Sequence, residues 1–136
     1  MIVVDSSAVI AFAFGEPEAD AFYDILTKAA ASICSPVTFA ECAMVLVGKQ
    51  AAMPMTDVTA LFRTLKIEQA GLGSDQGLLT AEAFLRFGRG RHPAKLNMGD
   101  CFSYALAKSL HAPLLYKGED FAKTDIASAM APGVKP

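Results

Sequence analysis

The sequence predicts a single α/β domain, residues 1–136, built on a mostly parallel sheet. Short apolar runs without alternation, such as Met1–Val4 and Pro113–Tyr116, suit strands covered on both faces. Stretches of helical periodicity with recognisable caps separate them, which is the pattern of crossover connections. The composition is 53% hydrophobic and 19% charged, enough apolar side chain for a core and against disorder. There are no internal repeats and no linker.

The elements follow in order. Met1–Val4 is the first strand, and Asp5-Ser6-Ser7 ends it and caps a helix through Ala8–Phe12. Gly15 and Pro17 interrupt, and Glu18–Ala30 is expected as a helix with Ala19, Phe22, Ile25, Leu26 and Ala29 on one stripe. Ala31–Ser35 is long enough for a second strand. Ser35-Pro36 places a cap residue before a proline at the first helical position, and that helix should end near Gly48. Pro54 or Thr56 opens another helix to about Leu65, and Lys66–Ala70 is a third strand. Ser74 or Asp75 starts a helix that fades before Gly88, and Gly88–Pro93 is a basic loop. Asn97 caps a helix from Met98 to about Leu110, Pro113–Tyr116 is the fourth strand, and a short element near Ile126 or Val134 finishes the sheet.

No apolar run reaches the ~18 residues a membrane-spanning helix needs. The first residues lack the basic segment of a secretory signal, and Asp5 breaks their apolar stretch, so a cytoplasmic protein is expected. Cys34, Cys42 and Cys101 have no Cys-x-x-Cys spacing, and only His92 and His111 accompany them. Small buried thiols are expected rather than a zinc site.

Four acids stand where folding alone explains a carboxylate poorly: Asp5, Glu41, Asp100 and Asp120. Asp5 and Asp120 follow strands, and sites in open parallel sheets form beyond the strands' carboxyl ends. Asp5 also suits a helix cap, and Asp120 a turn. Asp100 lies in a first helical turn, where the helix dipole favours it. Glu41 lies beyond that reach, among Phe39, Ala40, Cys42, Ala43 and Val45. Two carboxylates ~4 Å apart repel by about 4 kcal/mol at an effective dielectric of 20. A gathered cluster therefore calls for a hard divalent cation such as Mg²⁺, which takes oxygen ligands and supports phosphodiester hydrolysis. A carboxylate not needed as a ligand, Glu41 or Asp120, would orient or deprotonate the attacking water.

Ser6 and Ser7 can bond to the acids or to a phosphate, or Ser7 can cap its helix. Asn97 is best explained as a cap, and Glu119, Asp75 and Asp125 as solvated turn or cap acids. Net charge is −2, yet Arg86, Arg89, Arg91, His92 and Lys95 fall within ten residues free of acid. That patch suits a polyanion, since Arg forks match phosphate oxygens, although a solvated loop is the plainer reading. Gly88 and Gly90 suit a mobile segment that orders on RNA. Phe87 belongs to the core or stacks on a base.

Taken in order, the motifs resemble those of the PIN domain, in particular the VapC-type ribonuclease toxins of type II toxin–antitoxin systems. Met1-Ile-Val-Val-Asp5-Ser-Ser-Ala8 is similar to the family's first strand and acid, and Ser35–Glu41 to its second-acid helix. Leu96-Asn-Met-Gly-Asp100-Cys-Phe-Ser-Tyr-Ala-Leu-Ala107 resembles its third-acid motif, the most specific stretch, and Leu114–Phe121 its fourth. The resemblance implies a three-layer α/β/α fold and a Mg²⁺- or Mn²⁺-dependent endoribonuclease. It also implies a homodimer neutralised by a cognate VapB-type antitoxin. It assigns Asp5, Asp100 and Glu41 as metal ligands. In the fourth motif some members carry an acid where this chain has Gly118, so Glu119 is an alternative to Asp120. Two other readings are a non-catalytic PIN-fold RNA-binding module and an aspartate-based phosphotransfer enzyme. The latter suffers because haloacid-type phosphatases carry a second Asp where this chain has Ser7.

Overall fold

A computed structural model of the chain describes residues 1–130. Four short strands form one sheet: β1 (Ile2–Val4), β2 (Ser32–Cys34), β3 (Ile67–Gln69) and β4 (Leu114–Leu115). Their order is β3-β2-β1-β4, and every pairing is parallel. The helices are α1 (Ser6–Ala13), α2 (Ala19–Lys28), α3 (Pro36–Val47), α4 (Met55–Thr64), α5 (Ser74–Phe87) and α6 (Met98–Ser109). A 3₁₀ turn covers Phe121–Lys123.

The strands are read on both faces, as their unbroken apolar character requires. Ile2 and Val4 pack with Phe22 and Leu26 of α2 and Cys42 and Leu46 of α3, whereas Val3 faces Tyr104 and Leu106 of α6. In β4, Leu115 joins the first core and Leu114 the second. The result is three layers, with α1–α4 over one face of the sheet and α5–α6 over the other. The period-2 alternation of a strand makes one residue serve one layer and its neighbour the other.

Helix starts follow local chemistry. Asp5 caps α1, accepting from the Ser7 amide, and Ser35 caps α3 through the Val37 amide with Pro36 first in the helix. Asn97 and Asp100 close a reciprocal capping box on α6. Three expectations shift. Helix α2 begins at Ala19, after Glu18 as its cap residue, and stops at Lys28, where the backbone of Ala29 turns extended. The element expected near Ile126 is a single parallel bridge between Ser128 and Leu114, and Val134 lies outside the described residues. The basic loop is not loose. Arg89 donates to the Leu96 carbonyl and Leu96 to that of Phe87, while the amides of Arg91 and His92 both donate to Gly88. Gly88 is there for close approach, since a Cβ would strike Phe84.

The chain runs β1, β2, β3 outward in one direction and returns to place β4 on the other side of β1. The order therefore reverses at β1, and a crevice opens at the carboxyl ends of β1 and β4.

Leu114 and Leu115 are both fully buried but serve opposite cores. Leu114→Ala and Leu115→Ala should each lower stability by about 2–5 kcal/mol in urea unfolding. If one of them proves neutral, β4 is not covered on both faces.

Candidate active site

Asp5 leaves β1 directly into the crevice and is 2% exposed. Its carboxylate is held from both sides. Oδ2 accepts from the Ser7 amide at 3.0 Å and from the Ser7 hydroxyl at 2.7 Å. Oδ1 accepts from the Ser103 hydroxyl of α6 at 2.7 Å. Ser103 in turn pairs with the buried Thr38 hydroxyl of α3 at 3.3 Å. The Ser7 hydroxyl also accepts from the Lys117 amide at 3.0 Å, just past β4. One carboxylate thus ties together β1, α3, α6 and the segment after β4. Ser7 is accordingly a clip for Asp5, with its hydroxyl proton already given to the acid.

Asp100 is the third residue of α6. Its Oδ2 accepts from the Asn97 amide at 3.1 Å, and its own amide donates to Asn97 Oδ1 at 2.9 Å. Burial and then the charge of Asp5 push its carboxyl up from 3.8 to about 7. The Asn97 amide pulls the other way, and the charges of Glu41 and Asp120 add to the rise. Glu41, in the second turn of α3, is also pushed up, by burial first and by Asp5 second, with the Ser6 hydroxyl acting against it. Its Oε1 is buried without a hydrogen-bond partner among the described residues.

The structure therefore brings Asp5, Glu41 and Asp100 into one electrostatic group. Asp120 is exposed beside it, near enough to raise Asp100, whereas Glu119 acts on Tyr116. Among the described residues no three His, Cys, Asp or Glu side chains already close to ligand spacing. The four acids form a loose, repelling group rather than a finished cage. The donor set still suits a hard divalent cation: it is all oxygen, and Glu41 offers a buried carboxylate oxygen with unused lone pairs.

The basic residues divide. Arg86 ends α5 turned to Asp125, at 3.6 Å, to the Tyr104 hydroxyl and over the Phe87 ring. Arg89 and Lys95 are exposed on the tied loop, and Arg91 reaches the Leu85 carbonyl at 3.4 Å. Phe87 is core, edge-on to His92 and tilted against Tyr104. Asp125 is exposed in a bend, as expected of a turn acid, but it is not without partners. It accepts from Tyr104 and Lys108 and pairs with Arg86, and Tyr104 foremost holds its carboxyl below the ordinary value. It fastens the last described segment to α5 and α6. The sequence reading missed Ser103 and Thr38. The one available signal was a pair of hydroxyls on helix faces that the core otherwise claims.

The PIN domain family matches residues 2–127. The chain is 38% identical to Ribonuclease VapC36 of Mycobacterium tuberculosis over 126 residues, covering 92% of this chain and 91% of that one. It is 34% identical to Ribonuclease VapC30 of the same organism over 131 residues, covering 96% and 100%. Ribonuclease VapC of Mycolicibacterium smegmatis is 34% identical over 127 residues, covering 93% and 98%. Among solved structures, that of Mycobacterium tuberculosis VapC20, described as a sarcin-ricin loop cleaving toxin, superposes with a TM-score of 0.76. It covers 96% of this chain and 100% of its own, and at 14% identity it shows the shared fold alone.

The raised carboxyls fix how stability changes with pH when no cation is added. Between 3.8 and about 7 the unfolded chain releases the Asp100 proton while the folded chain keeps it. The folded state then binds more protons, so stability falls as pH rises through that window and levels off above it. Glu41 acts in the same sense. Asp125, whose carboxyl is lowered from 3.8, acts only below that value. Urea midpoints in EDTA should drop from pH 5 to pH 7.5, and the drop should shrink in Asp100→Asn. A midpoint that rises over this range would contradict the coupling.

Proposed function

The chain belongs to the PIN domain family and within it to the VapC ribonucleases, and on that footing we propose that it is a metal-dependent endoribonuclease toxin that hydrolyses RNA phosphodiester bonds. The observation that carries this reading is the meeting of carboxylates from β1, α3 and α6 at the crevice, where burial first and the charge of Asp5 second push the Asp100 carboxyl to about 7. A buried group of like charges suits a bound cation, which would offset their repulsion.

Asp5, Glu41 and Asp100 would hold the cation, Mg²⁺ or Mn²⁺. The chemistry such an ion supplies when bound is activation of a water and neutralisation of charge on the phosphoryl oxygens. The chain's own residues do the rest. Ser7 and Ser103 hold both oxygens of Asp5, so its orientation costs nothing when substrate arrives. Asn97 fixes Asp100 through the capping box. Asp120, exposed at the rim, would orient or deprotonate a water on the solvent side. Arg89 and Arg91 on the tied loop lead toward Asn97 and can take up phosphates of the RNA backbone. Arg86 is bound to Asp125 and Tyr104 and is less free to take up a phosphate.

Partners follow from the same reading. Two apolar faces are exposed, one with Met44, Val47 and Met55 on α3 and α4, the other with Leu78, Phe84, Leu85 and Met98 on α5 and α6. Exposed apolar patches of this kind mark association sites, and they suit a second copy of the chain and a cognate VapB-type antitoxin. No helix among the described residues is long and apolar enough to cross a membrane, and the protein is proposed to act in the cytoplasm. A purely RNA-binding role would leave the acidic group without a use.

Asp100→Asn keeps an oxygen for the Asn97 amide, so the fold should persist. RNA cleavage should fall by about 10²-fold or more, with loss of growth arrest on expression. Wild-type cleavage should stop in EDTA and return with Mg²⁺ or Mn²⁺. Cleavage by Asp100→Asn at the wild-type rate would refute the assignment.

A further inference from the structure

We infer that Gly99 is a positioning residue for Glu41: the missing side chain at the second position of α6 is the seat on which the Glu41 carboxylate of α3 rests. The inference builds on the reading of the acidic group as a cation site and adds a residue to it. A Cβ built on Gly99 would collide with Oε1, Oε2 and Cδ of Glu41, and those are its three nearest atoms. The whole carboxylate therefore lies on the glycine.

Backbone conformation does not explain the glycine. The glycines with positive φ are Gly15, Gly90 and Gly118, among the described residues, and Gly99 sits in ordinary helix. Alanine is the better helix former at such a position. Gly77, also helical, has open space where its Cβ would be. What distinguishes Gly99 from Gly77 is the whole Glu41 carboxylate of another helix lying against it.

The consequence follows from which partner can move. The first turn of α6 is fixed by the Asn97–Asp100 capping box, and α6 is joined to α3 by the Thr38–Ser103 hydroxyl pair. The Glu41 side chain is flexible, and its Oε1 has no hydrogen bond to hold it. A methyl group at position 99 would therefore displace the carboxylate and leave the helix in place. Glu41 would swing away from Asp100, the next residue along. The close approach of α3 and α6 thus sets the spacing between the second and third acids.

The test is Mn²⁺ binding by the full chain without RNA, read by calorimetry or electron paramagnetic resonance. Gly99→Ala should weaken affinity about tenfold or more with an unchanged melting temperature. Gly77→Ala should leave affinity unaltered. Adding Glu41→Asp to Gly99→Ala shortens the acid by one methylene and should recover part of the affinity, although Glu41→Asp alone loses some. Wild-type affinity in Gly99→Ala, or no recovery in the double variant, would overturn the inference. If the wild-type chain itself takes up no Mn²⁺, the cation reading fails instead. A crystal structure of metal-free Gly99→Ala then decides the seat: a displaced Glu41 carboxylate supports it, and an unmoved one refutes it.

Discussion

Like charges do not gather without something to hold them, and the crevice of this protein is organised around that constraint. Asp5, Glu41 and Asp100 arrive from three different elements; beyond burial, Asp5 raises the cost of ionising Glu41, and Asp5 and Glu41 raise that of Asp100. The fold distributes this cost unevenly. Asp5 accepts three hydrogen bonds, two from Ser7 and one from Ser103. Asp100 accepts one from the Asn97 amide. Glu41 has a buried oxygen with no partner among the described residues. Burial with few donors leaves the carboxyls of Asp100 and Glu41 raised. Those are the two groups a cation would relieve most.

Holding such a group requires a rigid frame, and the two cores supply it. A three-residue β1 buried on both faces delivers Asp5 at a fixed height, because Ile2 and Val4 anchor it to one layer and Val3 to the other. Burial of a Val or Leu side chain contributes about 1.5–3 kcal/mol, comparable to the repulsion between a pair of close carboxylates. The frame extends beyond packing. The Thr38–Ser103–Asp5–Ser7–Lys117 chain of hydrogen bonds joins helices on opposite faces of the sheet across the carboxyl end of β1. It converts the position of one acid into a property of the whole domain.

Much of this was legible in the sequence because it is local. The apolar run before Asp5, the Ser35-Pro36 start and the Asn97 cap each act within a few residues. The isolation of Glu41 among apolar neighbours pointed to an unusual carboxylate without any tertiary information. What escaped depends on distant pairs. Ser103 meets Asp5 across 98 positions and Thr38 across 65. Asp125 looked like a turn acid because Tyr104, Lys108 and Arg86 reach it only in the folded chain. The basic loop, with its glycines, suggested mobility, but Ala94 and Leu96 are buried, and that burial with the Phe87–Leu96 hydrogen bond ties it down. Glycine in a sequence does not say whether it serves freedom, as a left-handed φ does at Gly90, or proximity, as at Gly88.

We propose that a divalent cation offsets the carboxylate repulsion in the crevice. Calorimetric titration of Mg²⁺ into the metal-free protein, in buffers of different ionisation heat, measures this directly. At pH 6 Asp100, whose carboxyl is raised to about 7, carries a proton that the cation must displace. Binding is expected with net proton release at pH 6 and with almost none at pH 8.5. Binding without proton release at pH 6, or no binding at either pH, would contradict it.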